Sequence, residues 1–168
     1  MKFQKYMVVG ILGLTMALGF SGCQSENQKN QDAYRKIGIN SMAEGDYDKA
    51  VKSFQKALDT SLGKIGAEEI DICYYKAAAQ FAKKDYDGAI ETYTSLIDYD
   101  KENANAYYLR GSVYLDTDKK DKAFKDYKNA VKYAGREYEI YEGIYENLTN
   151  KGETEEAGTS IPIYSGKA

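Results

Sequence analysis

The sequence predicts an all-α fold, a short solenoid of antiparallel helix pairs with three pairs complete and a fourth half complete. Three observations lead there. The stretch 44-EGDYDKAVKSFQKALD-59 spaces its apolar residues Tyr47, Ala50, Val51, Phe54, Ala57 and Leu58 three and four apart, which gives a helix one apolar face. That pattern returns at 83-KKDYDGAIETYTSLID-98 and 117-TDKKDKAFKDYKNAVK-132, offset by 39 residues from Tyr47 to Tyr86 and by 34 from Tyr86 to Lys120. Ahead of each copy, under the same offsets, lies a second apolar segment: 34-YRKIGINSMA-43, 73-CYYKAAAQFA-82 and 107-YYLRGSVYLD-116. Helices repeating in this way cannot bury their apolar faces alone, so successive pairs must stack.

Residues 1–22 precede the repeats. Lys2 and Lys5 are followed by an uncharged run from Tyr6 to Gly22, a basic start and short apolar core that fit a secretory signal. The run ends at Phe20-Ser21-Gly22-Cys23, which resembles the signal box of a bacterial lipoprotein with Phe in the usual place of Leu. The resemblance implies cleavage before Cys23 and acylation of its thiol, so that lipid at Cys23 would hold the protein on the extracytoplasmic side of the membrane, in the cell envelope. Each buried methylene of such an anchor contributes about 0.8 kcal/mol. A conventional signal cleaved nearby, with Cys23 free, and an uncleaved single span are the alternatives. Residues 23–30 then form the acylated Cys and a flexible polar tether, since QSENQKNQ offers nothing that could anchor a core.

The repeats follow in 31–157. Gly38, Ala77 and Gly111 fall in register on the first helices, where a small residue lets two backbones approach. Seven residues on, Gly45, Lys84 and Asp118 mark the turns. The pattern resembles the tetratricopeptide repeat, a helix-turn-helix module of about 34 residues. Unit one, from Gln31, carries Tyr34, Ile37, Gly38, Gly45, Tyr47, Ala50, Phe54 and Ala57, but has Ser41 where Tyr is usual. The second, from Ile70, carries Ala77, Tyr86, Ala89 and Tyr93. The third, from Ala104, carries Tyr107, Leu109, Arg110, Gly111, Tyr114, Ala123, Tyr127 and Ala130, with Lys120 in place of the packing Tyr. A fourth start at Tyr138 supplies Tyr141, Ile144, Tyr145 and Leu148, and its second helix should begin near Glu153. Gly158, Thr159, Ser160 and Pro162 then weaken any helix, so 158–168 reads as a disordered tail. The five extra residues between units one and two lie in 60-TSLGKIGAEEIDI-72, a longer loop at small entropic cost. The resemblance implies a right-handed superhelical solenoid.

Chemistry is sparse. The chain has no His and no Trp, and with Cys23 modified its other cysteine, Cys73, has no disulfide partner and occupies a packing position. Asp116, Asp118 and Asp121 crowd one turn, but DTDKKDKA lacks the glycine and terminal glutamate of a calcium loop. No nucleophile has a base beside it in the sequence, and no glycine-rich phosphate loop occurs. No catalytic residue, metal site or cofactor is expected, and the chain reads as a non-enzyme. Its formal charge of -3, with 23 basic and 26 acidic residues, argues against nucleic acid as a partner.

What remains is surface. The family resemblance implies that the first helices line a groove, here with Arg35 and Ile39 from unit one, Tyr74, Tyr75 and Phe81 from unit two, and Asn105, Tyr108, Leu109 and Leu115 from unit three. Tyrosines in such a groove offer apolar area, few torsions to freeze and a hydroxyl. The other reading of Tyr74, Tyr75, Tyr108 and Phe81 is packing between repeats. The expected function is therefore a lipid-tethered, non-catalytic scaffold that binds a protein or peptide in the bacterial cell envelope. The alternative is a self-associating structural lipoprotein or accessory subunit of an envelope complex, docking through the incomplete fourth repeat, since solenoid ends need a cap.

Overall fold

The computed structural model describes residues 26–160, and these form eight α-helices joined by short turns. They divide into two compact units, one running to Ala89 and the other from Ile90. The first contains α1 (Glu26–Ala43), α2 (Tyr47–Asp59), α3 (Ala67–Ala82) and the start of α4 (Tyr86–Tyr99), within which the division falls. The second contains the rest of α4, then α5 (Ala104–Asp116), α6 (Lys120–Tyr133), α7 (Tyr138–Asn150) and α8 (Thr154–Ser160). This is the all-α fold of repeated helix pairs that the apolar periodicity predicts.

Two segments differ from expectation. α1 begins at Glu26, inside the stretch read as a flexible tether, and Gln31 is buried with its Nε2 donating to Glu69 Oε1 at 2.7 Å. Polar side chains gave no sign of it because α1 is held there by a hydrogen bond and by backbone helix formation rather than by apolar burial. At the other end, Gly158, Thr159 and Ser160 are the last turn of α8, not the start of a tail. Residues 161–168 and the segment 1–25, with Cys23, lie outside the described residues.

Four helix-pair turns use one device. At Gly45, Lys84, Asp118 and Gly152 the chain takes φ values of +79°, +68°, +57° and +80°. The residue after each then donates backward five positions to close the helix: Asp46 to Ser41 O, Asp85 to Gln80 O, Lys119 to Tyr114 O and Glu153 to Leu148 O, all at 2.8–2.9 Å. This left-handed cap satisfies carbonyls that the helix end would otherwise orphan. Asp46 and Asn103 cap the next helices, accepting from the backbone N–H of Lys49 and Ala106 at 3.0 and 2.9 Å.

In each unit a glycine admits an aromatic ring. A Cβ on Gly38 of α1 would stand 2.5–2.8 Å from the Phe54 ring of α2, and one on Gly111 of α5 would stand 2.8 Å from the Tyr127 ring of α6. Phe54 and Tyr127 are accordingly among the most deeply buried side chains. Ala50, Ala57, Ile72 and Ala79 complete the core of the first unit, while Ala123, Ala130, Tyr141, Ile144 and Leu148 pack around Tyr127 in the second. Tyr141 fills its place with its hydroxyl donating to Gly135 O at 3.1 Å.

Candidate protein-binding surfaces

In the first unit the candidate residues Arg35, Tyr74, Tyr75, Ile39 and Phe81 are all half-buried. Arg35 of α1 donates to Asp71 of α3 through Nε at 3.1 Å and also through Nη2. Its guanidinium lies 5.3 Å from the centroid of the Tyr75 ring, which stacks in turn on Phe54 at 5.6 Å. One turn earlier Asp32 faces Glu68. Burial, with Asp32 as hydrogen-bond partner and like charge, pushes the Glu68 carboxyl up to about 7. Ile39 packs against the core formed by Phe54 and Ile72, and Phe81 meets the Tyr86 ring edge-on at 5.6 Å. The face is thus built of interlocked charged and aromatic groups. Cys73, on the same helix, is half-buried, and burial raises its thiol pKa, so it stays protonated and unreactive.

In the second unit Asn105, Tyr108 and Leu109 are half-buried and Leu115 is 2% exposed. Leu115 therefore lines no groove. It belongs to the core around Tyr127 and Leu148, because the helix turns it inward toward the pair it must bury. Tyr108 is spent mainly on packing: its ring lies 6.4 Å from that of Tyr127, and a Cβ on Gly143 of α7 would stand 2.7 Å from its Cζ. Beside it Asn147 Nδ2 donates to Ser112 Oγ at 2.8 Å and to Tyr127 OH at 3.2 Å, and Ser112 Oγ donates to Tyr108 O at 2.9 Å. Burial raises the pKa of both tyrosines, which keep their hydroxyl protons. This network locks α5, α6 and α7 together.

Sequence reasoning did not single out the other side of this helix pair. Arg110 of α5 lies between the Tyr107 and Tyr114 rings, 5.8 and 5.9 Å from their centroids, and is clamped by Asp126 of α6. Its Nη1 donates to Thr94 Oγ1 at 2.9 Å. Together with Lys122, Lys125 and Asn129 these residues line an open cleft of about 320 Å³. The lysine spacing along α6, beside its apolar stripe, was the available signal. Lys120, in place of a packing Tyr, instead forms an ion pair with Glu153, and Lys151 pairs with Asp116 at 3.0 Å.

Fold and surfaces define a repeat protein of stacked helix hairpins. Its family follows from comparison: a TPR repeat model matches residues 77–118, and two tetratricopeptide repeat models match residues 104–136 and 35–94. The chain is a tetratricopeptide-repeat protein, of a class that is non-catalytic. No curated protein matches the sequence. Among solved structures, the crystal structure of MamA shares the fold with a TM-score of 0.62 and 23% identity, covering 81% of this chain and 77% of that one. The MamA RS-1 ArsTM double mutant does so with a TM-score of 0.60 and 23% identity, over 84% and 77%. The likeness is one of fold.

The same comparison corrects the expected location on the extracytoplasmic side, since it sets the chain beside MamA rather than beside an acylated envelope lipoprotein. The box that suggested acylation of Cys23 is four residues long, departs from its pattern at Phe20 and constrains nothing in the folded repeats. Among the described residues no helix is long and apolar enough to cross a membrane.

Proposed function

We propose that the chain is a non-catalytic protein-binding scaffold that assembles with copies of itself through α7. The observation that carries this reading is the state of the last helix pair. Tyr138 and Tyr145, two turns apart on α7, are 57% and 38% exposed. α8, the partner helix, is only seven residues long and reaches the core through Ala157. Large tyrosines uncovered at the end of a repeat array are a natural seat for another protein, because Tyr supplies contact area at little entropic cost. Sedimentation of the full chain across micromolar concentrations tests the idea. Association that weakens in Tyr138→Ser/Tyr145→Ser supports it, and a strict monomer overturns it.

A second surface, for a peptide partner, is supported by the prearranged Arg35, Asp71 and Tyr75 of the first unit. Tyr74→Ala should lower recovery of a crosslinked partner while the helical signal stays unchanged. Undiminished recovery removes the face from consideration.

A further inference from the structure

Self-association through α7 requires a complementary surface, and the second unit carries one. On α6, Lys122, Lys125 and Lys132 share one side, with Lys128 at its edge; all four are exposed, and no carboxylate among the described residues forms an ion pair with any of them. Lys122 rests over the Tyr114 ring at 5.4 Å, and Lys132 lies 4.5 Å from the centroid of the Tyr133 ring and donates to the Tyr133 hydroxyl at 2.9 Å. Along this side runs the cleft of about 320 Å³, with the Arg110–Asp126 pair at its base, Tyr107 and Tyr114 on one wall, and Lys122, Lys125 and Asn129 on the other. α7 is the opposite case. Its thirteen residues YEIYEGIYENLTN contain no Lys or Arg, and Glu139, Glu142 and Glu146 lie exposed on one side, next to Tyr138 and Tyr145. Like charges three and four residues apart on a helix repel one another, as Glu139, Glu142 and Glu146 do on α7; on α6 the exposed Asp121, four residues before Lys125, offsets part of the repulsion between Lys122 and Lys125.

We infer that the basic cleft face of α5 and α6 in one copy receives the acidic face of α7 of a second copy. This rests on the self-association reading above and names the surface that reading lacks. Glutamate carboxylates of α7 would be met by the Lys122 and Lys125 ammonium groups and the Asn129 amide at the cleft mouth. The tyrosines beside them would lie against Tyr107 and Tyr114, adding apolar area to a charge-steered contact. Because the two faces are unlike, the contact is heterologous: each copy offers a free cleft at one side and a free α7 at the other. Copies would add successively rather than stop at a symmetric pair, unless the rotation closes a ring.

Charge reversal tests the pairing on the full chain by sedimentation velocity. Lys122→Glu/Lys125→Glu and Glu142→Lys/Glu146→Lys replace exposed groups, and unchanged circular dichroism verifies that each variant folds. Wild type should associate more weakly as salt is added, and each variant alone should lose at least about tenfold in association constant. An equimolar mixture of the two should regain association, since the acidic α6 of one then faces the basic α7 of the other. Variants that associate as wild type does, or a mixture that stays apart, overturn the pairing and leave self-association standing. A wild-type chain that never associates overturns self-association itself.

Discussion

Arg110 on α5 and Asp126 on α6 meet through two parallel hydrogen bonds, Nε to Oδ2 at 2.8 Å and Nη2 to Oδ1 at 2.9 Å. Asp126 is only 3% exposed, so the pair is largely withdrawn from water and its members depend on each other. The bonds and charge of Asp126 hold the guanidinium above its ordinary pKa. Breaking such a pair by removing one partner leaves a desolvated charge and costs about 3–5 kcal/mol, whereas replacing both by apolar groups is often neutral. Asp126→Ala should therefore lower the midpoint of thermal unfolding by about 10 °C. Arg110→Met/Asp126→Leu should recover most of that loss. Thermal scans of both variants check it, and additive losses in the double variant would show that the pair contributes nothing as a unit.

This pair also shows what the sequence could and could not disclose. Helix pairs were legible because core positions repeat: Gly38 with Phe54 and Gly111 with Tyr127 occupy the same places two units apart, and packing imposes the same small-with-aromatic solution on both. Turn positions were legible too, since Gly45, Lys84, Asp118 and Gly152 fall in one register. Arg110 stood in that register as well, but its use depends on Asp126, sixteen residues away on another helix. Tyr108 and Leu115 illustrate the opposite difficulty: a family position says which side of a helix faces a groove on average, whereas exposure is decided by the neighbour that arrives, here α7 through Gly143. The start of α1 was hidden because its early turns are polar.

The shared turn geometry yields a second prediction. Lys84 and Asp118 hold φ of +68° and +57°, a left-handed conformation that costs a residue with a Cβ roughly 1 kcal/mol or more and costs glycine nothing. Part of the gain on replacement is offset by the greater freedom of glycine in the unfolded chain. Lys84→Gly and Asp118→Gly should each stabilise by about 0.5 kcal/mol. Gly45→Ala should destabilise by about 1 kcal/mol at the same place in the first pair. Urea unfolding of the three variants reads the sign directly, and a uniform loss would mean that the side chains of Lys84 and Asp118 carry contacts worth more than the strain.

Ser41 supplies a third. It sits at the position where the repeat usually carries Tyr, it is buried, and its Oγ has no hydrogen-bond partner among the described residues. An unsatisfied buried hydroxyl costs about 1–3 kcal/mol of desolvation. Ser41→Ala removes the hydroxyl and leaves the backbone carbonyl that accepts from Asp46 in place. The variant should be more stable by about 1 kcal/mol in urea unfolding. A loss of stability instead would show that the hydroxyl finds a partner in solution.

The last prediction concerns pH. Glu68 on α3 faces Asp32 on α1, and burial first, then that neighbour, raises its pKa from 4.5 in the unfolded chain to about 7 in the fold. Between those values the folded protein retains a proton that the unfolded chain has released, so stability falls as pH rises through this window. Below pH 4.5 the group contributes no difference, and above 7 the penalty is complete. Because Glu68 remains substantially exposed, solvent screening reduces the effect to about 1 kcal/mol. Glu68→Gln, which keeps a neutral hydrogen-bonding group there, should stabilise the chain by that amount at pH 8 and leave it unchanged at pH 4 (the screened linkage of about 1 kcal/mol). Thermal unfolding of wild type and variant across this range decides the matter: two parallel curves would show that Glu68 keeps its ordinary pKa in the fold, whereas curves that meet in acid and separate by pH 8 would establish that it is raised.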